Sequence, residues 1–155
     1  MNYIEAPNYN YNKNQKSLFL AGSITDCPDC PNWQQEVINK LRPLDINIFN
    51  PRRANFPIKD PNAALEQIKW EFNMLRNADI ISFWFSKETL GPIVLYELGA
   101  HSMTNKPIII GIDPDYKRKQ DVVIQTLLIR PEIQITFNFD TFINNIEFYI
   151  GNNLK

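Results

Sequence analysis

Cysteine and histidine are nearly absent from this chain of 155 residues. The only cysteines are Cys27 and Cys30, and the only histidine is His101. Two cysteines cannot build the disulfide framework that holds small secreted domains together. Their C-x-x-C spacing suits a redox pair or half of a zinc site, but the chain offers no second pair of ligands. We therefore interpret this segment as a proline-rich loop with incidental thiols, and we expect no bound metal.

The sequence also lacks an excess of charge of one sign and a long apolar run. Its net charge of −1 gives no electrostatic basis for binding nucleic acid or an acidic membrane surface. No apolar run approaches the roughly 20 residues that span a bilayer. The first residues are polar, rich in Asn and Tyr, and unlike a signal peptide. We expect a cytoplasmic protein with a flexible tail over residues 1–16 and a single domain over residues 17–155.

Short apolar runs alternate with segments of helical periodicity along this domain. The predicted strands cover residues 17–24, 46–51, 79–85, 106–112 and 133–138. The predicted helices cover residues 32–43, 61–79, 91–105 and 140–151, and 121–129 fits either state. The alternation predicts an α/β fold, a doubly wound sheet of about five mainly parallel strands with helices on both faces. In such sheets ligands bind beyond the carboxyl ends of the strands.

One carboxylate stands inside an apolar helical segment, PIVLYELGAH (92–101). Three of the residues that share a helix face with Glu97 are apolar, and the fourth is His101. Burial of a carboxylate in such a setting costs free energy unless it has a partner or a function. Periodicity leaves two explanations open: a half-exposed glutamate held by a lysine or hydroxyl, or a functional acid.

A second carboxylate, Glu71, borders a predicted apolar stripe. The stripe consists of Leu65, Ile68, Phe72 and Leu75. A glutamate at the edge of such a stripe is common, and alone it is a weak signal. However, the helices of Glu71 and Glu97 flank the same predicted strand, so the two acids can converge at its end. Two converging carboxylates suit cleavage of a glycosidic bond. One attacks or shields the anomeric carbon, and the other transfers a proton or binds a sugar hydroxyl.

Other polar residues follow predicted strands at the same edge. Gly22 and Ser23 close the first strand, where a glycine lets backbone amides approach a ligand and a hydroxyl adds a donor. Arg52, in NPRR (50–53), could hold an anion. An ordinary turn and solvated surface charge explain these residues equally well.

Five motifs together resemble the nucleoside 2-deoxyribosyltransferase-like superfamily. They are LFLAGSI, NPRR, QIKWEFNMLRNADIISFWF, PIVLYELGAH and DPDYKRKQDVVIQ, and they run in order from about residue 17 to residue 125. The resemblance implies a flavodoxin-like fold, a homo-oligomer of at least two subunits, and no organic cofactor. It implies deoxyribosyl transfer between a deoxynucleoside and a free nucleobase, with net retention.

The resemblance also assigns roles to particular residues. Glu97, in the ELG motif, would be the nucleophile that attacks C1′, and Glu71 would lie near the base and handle its proton. Asp121 would come from a neighbouring subunit and contact the 5′-hydroxyl of the sugar. Tyr116, in the last motif, joins Gly22, Ser23 and Arg52 among the expected substrate-binding residues.

Two alternatives remain at this level. The same fold could hydrolyse a deoxynucleoside 5′-phosphate, although the negative charge of Asp121 disfavours a phosphate. It could also bind nucleosides without turnover. The loop before the ELG helix, SKETLGP (86–92), has no aspartate where many transferases of the family have one, which favours this second alternative.

Overall fold

The computed structural model describes residues 1–24 and 31–153, so Cys27 and Cys30 lie outside the described residues. Over these residues the chain forms a six-stranded sheet in the order β1-β3-β2-β4-β5-β6, with every neighbouring pair parallel. The strands are β1 (Asn2–Glu5), β2 (Ser17–Gly22), β3 (Asn47–Asn50), β4 (Ile80–Phe85), β5 (Ile108–Ile112) and β6 (Ile135–Thr136). The predicted doubly wound architecture is confirmed, with six strands in place of about five.

Five helices cover the two faces of the sheet. They are α1 (Trp33–Leu41), α2 (Ala63–Asn77), α3 (Pro92–Ser102), α4 (Lys119–Ile129) and α5 (Phe139–Asn153). Side chains of α1 and α5 form one core with the sheet, and side chains of α2, α3 and α4 form the other. The ambiguous segment 121–129 is thus helical. No helix among the described residues is long and apolar enough to cross a membrane.

The first residues form the edge strand β1, so the prediction of a flexible tail over residues 1–16 is wrong. β1 pairs with β3 from Asn2 to Glu5, and Ile4 is buried in the core. The Asn47 amide then donates to the carbonyls of Asn12 and Gln15 at 2.8 and 2.9 Å. Backbone pairing and a buried asparagine hold this segment in place, and hydrophobicity patterns do not register such interactions.

The apolar stripe predicted on α2 is also misplaced. Leu65, Ile68 and Phe72 are 53, 63 and 59% exposed, and only Leu75 of the predicted set is buried. The buried face instead carries Trp70 and Met74, together with Gln67. Ala63, Gln67, Trp70 and Met74 recur at helical spacing and define the inward face, where Trp70 packs against Phe19 and Phe49. The exposed side chains of the stripe lie toward the carboxyl edge of the sheet, where Ile68 and Phe72 line a cavity.

Gly111 in β5 provides a test of the second core. A Cβ atom at this position would lie 2.6 Å from the Trp84 ring and 2.7 Å from the Phe142 ring, and these two rings pack against each other. We expect Gly111→Ala to lower the free energy of unfolding by about 1–3 kcal/mol, because neither ring can move without disturbing the other. Chemical denaturation measures the change. Gly151→Ala is the control, since a Cβ there meets no atom within 4 Å, and a loss of stability as large in the control would contradict this explanation.

Candidate active site

A large open cavity runs between α2 and α3, from the carboxyl edge of the sheet toward its amino edge. Its volume is about 1490 Å³, more than most small-molecule sites need. Five of the residues expected from the sequence line it: Gly22, Ser23, Arg52, Glu71 and Glu97. The parallel strands end together at the carboxyl edge, and for this reason residues distant in the sequence meet there.

The start of α3 fixes the position of Glu97. Gly91 caps the helix with φ of 53°, a left-handed conformation that favours glycine, and Pro92 follows in the first turn. A Cβ on Gly91 would lie 2.6 Å from the hydroxyl oxygen of Ser23. The entry into α3 therefore packs closely against the turn after β2. Glu97 then lies one and a half turns into the helix, on the side that lines the cavity.

Glu71 is held by a buried amide on its own helix. Gln67 Nε2 donates to Glu71 Oε1 at 2.8 Å and to the carbonyl of Pro51 at 2.7 Å. Both acceptors are oxygens, so the orientation of this amide is fixed. Its own oxygen is buried and accepts no hydrogen bond from the described residues. An unsatisfied buried oxygen costs free energy, and the two bonds that the nitrogen donates offset this cost.

The two carboxylates influence each other and are both shielded from water. Burial, together with the negative charge of Glu71, raises the pKa of Glu97 to about 8. Burial also raises the pKa of Glu71, while the Gln67 hydrogen bond and the charge of Arg53 lower it. Mutual repulsion favours a state in which the pair holds one proton. The explanation of Glu97 as a glutamate held by a lysine or hydroxyl fails, because neither an ion pair nor a side-chain hydrogen bond to it occurs among the described residues.

The remaining predicted residues in the cavity have mixed surroundings. Gly22 is required mainly by packing, since a Cβ there would lie 2.4 Å from the Trp33 ring. Arg52 Nη1 lies 3.5 Å from the carbonyl of Pro31 and 3.5 Å from Gln34 Oε1, contacts too long to hold it firmly. A ligand could therefore recruit its guanidinium.

Tyr116 and Asp121 do not reach this cavity within one subunit. Tyr116 is buried, and its hydroxyl donates to the carbonyl of Leu90 at 2.7 Å, an interaction that supports the loop before α3. Asp121 pairs with Arg118 at 3.1 Å beside a separate groove of about 200 Å³ between α3 and α4. Direct substrate binding by Tyr116 is thus corrected to a structural role, and Asp121 can meet a substrate only from another subunit.

Several residues that line the cavity were not anticipated. They are Tyr3, Glu5 and Gln67, whereas Asn50 and Arg53 belong to the NPRR motif and His101 follows Glu97 by one turn. Helical spacing could have revealed Gln67, which lies one turn before Glu71. Tyr3 and Glu5 lie in the polar first segment, which the sequence predicts to be a tail, so no pattern marked them as site residues.

The far end of the cavity carries positive charge. Burial and the charges of Lys106 and Arg76 lower the pKa of His101, which favours its neutral form. Lys106 Nζ donates to the carbonyls of Leu75 and Arg76, each at 2.8 Å, and also to that of Ala78. These bonds occupy the ammonium group and fasten the C-terminal end of α2.

The raised pKa of Glu97 makes a prediction about stability. A carboxyl group that stays protonated to higher pH in the folded state stabilises fully below about pH 4.5 and loses that contribution as pH rises through about 8. We expect Glu97→Gln, which cannot ionise, to raise the free energy of unfolding at pH 9 by about 1–4 kcal/mol, and to change it little at pH 4.5. Urea denaturation at both values measures the difference. Glu36→Gln, on the exposed side of α1, is the control, and an equal gain at both pH values for Glu97→Gln would contradict the prediction.

Comparison with known proteins identifies the family and the fold of this chain. The family model described as "Nucleoside 2-deoxyribosyltransferase like" matches residues 15–116. No curated protein sequence matches the chain significantly. A solved structure of the 2-deoxyribosyltransferase from the psychrotolerant bacterium Bacillus psychrosaccharolyticus is similar, with a TM-score of 0.57, 18% identity, and coverage of 83% of this chain and 90% of that one. At this identity the likeness establishes the fold alone. The family match spans most of the chain, including both acids of the cavity, and the chain therefore belongs to the nucleoside 2-deoxyribosyltransferase-like family.

Proposed function

We propose that this protein cleaves the N-glycosidic bond of 2′-deoxynucleosides and transfers the deoxyribosyl group between nucleobases. The observation that carries the proposal is the meeting of Glu97 and Glu71, from two helices, in one cavity at the carboxyl edge of the sheet. Membership of the family supports nucleosides and nucleobases as the substrate class.

The proposed reaction proceeds in two displacements at C1′ of the deoxyribose. A Glu97 carboxylate oxygen attacks C1′, the bond from C1′ to the base nitrogen breaks, and the departing base takes a proton from Glu71. A second base then attacks C1′ of the ester. Glu97 departs as a carboxylate, and Glu71 recovers a proton from the incoming base. Two inversions give net retention.

The proton count of this mechanism fits the electrostatics of the site. Glu97 has to be ionised to attack, and Glu71 has to be protonated to release the base, so the pair needs one proton in total. Repulsion between two shielded carboxylates favours that state over double ionisation near neutral pH. Before a base binds, this proton lies on Glu97, whose pKa is raised to about 8, whereas Gln67 and Arg53 oppose the rise that burial causes in the pKa of Glu71. The mechanism therefore requires that binding of the base transfers the proton to Glu71. Gln67 holds Oε1 of Glu71 through a donated hydrogen bond, which gives the carboxyl group a fixed orientation toward the base.

A second candidate function is hydrolysis of a 2′-deoxynucleoside 5′-phosphate. Its support is Arg53, which lines the cavity with a side chain only 5% exposed. One of its nitrogens donates to Glu66, while its Nε is buried with no partner in the described structure. A buried guanidinium with unused donors could hold a phosphate. The neighbouring carboxylates Glu71 and Glu66 oppose a dianion there, and for this reason the nucleoside is preferred.

We further propose that the protein acts as a homo-oligomer, with α4 at the interface. This helix exposes apolar side chains in a row: Ile124, Leu127, Leu128 and Ile129 are 56, 41, 80 and 44% exposed. Helices that are apolar around their circumference are normally buried, and exposed patches of this kind mark interaction sites. Asp121 lies on the same helix, so docking through α4 could bring it to the cavity of a neighbour.

Incubation of the protein with a 2′-deoxynucleoside and a different free base, followed by chromatography, tests the proposed transfer. We expect a new deoxynucleoside to form. Because Glu97 would bear the covalent ester, Glu97→Ala should reduce exchange at least about a thousandfold while the circular dichroism spectrum stays unchanged. Glu36→Gln is the control for substitution at an exposed glutamate.

Each contrary result has a distinct meaning. Unchanged turnover in Glu97→Ala would remove the ester mechanism. Release of free base without a new nucleoside would identify a hydrolase, and preference for deoxyadenosine 5′-phosphate over deoxyadenosine would identify the second candidate. Tight nucleoside binding without any base release would leave only a binding module.

The interface on α4 makes a prediction about assembly. We expect the wild-type protein to elute as a dimer or larger species and Leu128→Asp to elute as a monomer, because a carboxylate cannot be buried unpaired at an apolar contact. Size-exclusion chromatography with light scattering measures the mass. Asn144→Asp adds the same charge to the exposed side of α5 and should leave the mass unchanged. A monomeric wild type would contradict the proposal.

A further inference from the structure

The edge strand β1 brings residues to the cavity from outside the part of the chain that the family model matches. That match begins at residue 15, whereas Tyr3 and Glu5 lie on β1 and line the same cavity as Glu97. Asn50, at the end of the neighbouring β3, lines it beside them. The catalytic edge of this protein is therefore wider than the matched domain.

These three side chains form a connected set of hydrogen bonds. The Tyr3 hydroxyl donates to Glu5 Oε2 at 2.8 Å and accepts from Asn50 Nδ2 at 3.1 Å. Glu5 Oε1 accepts from the backbone nitrogen of Ala54 at 3.0 Å, and Asn50 Oδ1 accepts from that of Arg52. Asn50 is also buried. The set is thus held in place from two strands and the loop that follows β3.

The bonds already made determine what the set can still offer a ligand. The Tyr3 hydroxyl has used its donor, and Glu5, which as an ionised carboxylate only accepts, retains free lone pairs. Asn50 keeps one N–H. The set therefore presents a charged acceptor beside a single donor, which complements an amino group next to a ring nitrogen that accepts.

The location of the set favours the base over the sugar. Pro51, which directly follows Asn50, is connected to Glu71 through Gln67 by hydrogen bonds of 2.7 and 2.8 Å. Glu71 is the group that would protonate the departing base. We therefore expect the base to lie on the side of Glu71 that is away from Glu97. Tyr3, Glu5 and Asn50 adjoin that side.

We propose that Tyr3, Glu5 and Asn50 form a subsite that selects nucleobases carrying an amino group, such as adenine and cytosine, over their oxo counterparts. This inference rests on the proposed function for its choice of ligand. Glu5 accepts a hydrogen bond from the amino group, Asn50 donates to the neighbouring ring nitrogen, and Tyr3 holds Glu5 in position. An oxo group would instead place an oxygen against the Glu5 carboxylate.

Calorimetric titration of Glu97→Gln protein tests the subsite without turnover, using two pairs of ligands. The pairs are deoxyadenosine with deoxyinosine and deoxycytidine with deoxyuridine. We expect the amino member of each pair to bind about tenfold more tightly or better, the usual effect of one hydrogen bond to a charged group. Adding Glu5→Gln should reduce this preference to near unity, and adding Tyr3→Phe should weaken it. Asn2→Ala, on the same strand but outside the cavity, should leave it unchanged.

The outcomes separate this inference from the proposed function. Equal affinities within each pair, or a preference that survives Glu5→Gln, would overturn the subsite even if wild-type protein exchanges bases. A preference that depends on Glu5, combined with neither base exchange nor base release by the wild-type protein, would support the subsite and remove the enzymatic proposal. The donor to Glu5 could instead be the 5′-hydroxyl of the sugar. Binding of 2′,5′-dideoxyadenosine, which lacks this hydroxyl, tests that alternative. If Glu5→Gln weakens deoxyadenosine but not this analogue, Glu5 contacts the sugar and the assignment to the base is wrong. Failure of every nucleoside to bind would contradict both proposals.

Discussion

Two largely shielded carboxylates in one open cavity are the constraint on which the rest of this site depends. Neither Glu71 nor Glu97 would be tolerated there for stability alone, because each raises the cost of ionising the other. The surrounding groups affect the pKa values of the two carboxyl groups differently. Gln67 and Arg53 favour the charged form of Glu71, whereas no hydrogen bond from the described residues stabilises charge on Glu97. One pair of like residues thereby acquires two different environments, which place the shared proton on Glu97 before a base binds. The proposed roles require a bound base to shift that proton to Glu71.

Much of the fold could be predicted because its interior follows simple periodicity. β4 and β5 are buried along their whole length and appear in the sequence as continuous apolar runs. The helix between them, α3, begins at Gly91 and Pro92, which the sequence marks as a helix start. The convergence of Glu97 and Glu71 also followed from the sequence. The helices α2 and α3 flank β4, and in a parallel sheet both helices begin at the carboxyl edge.

The errors have physical causes that a local pattern does not contain. β1 is held by backbone pairing to β3 and by Asn47, so its few apolar residues gave no warning. The orientation of α2 was misjudged because Trp70 fills the core while Leu65, Ile68 and Phe72 face outward. Tyr116 was assigned to substrate binding although its hydroxyl is used by the Leu90 carbonyl. In each case a long-range contact decided between local alternatives.

The attachment of α2 at two places has a consequence for how the cavity receives its occupant. Gln67 fastens the middle of the helix to the end of β3, and Lys106 fastens its last turn to the start of β5. A helix anchored to strands on both sides of the sheet's centre cannot slide along its axis or rotate independently. The position of Glu71 relative to the end of β3 is therefore set before a ligand enters the cavity.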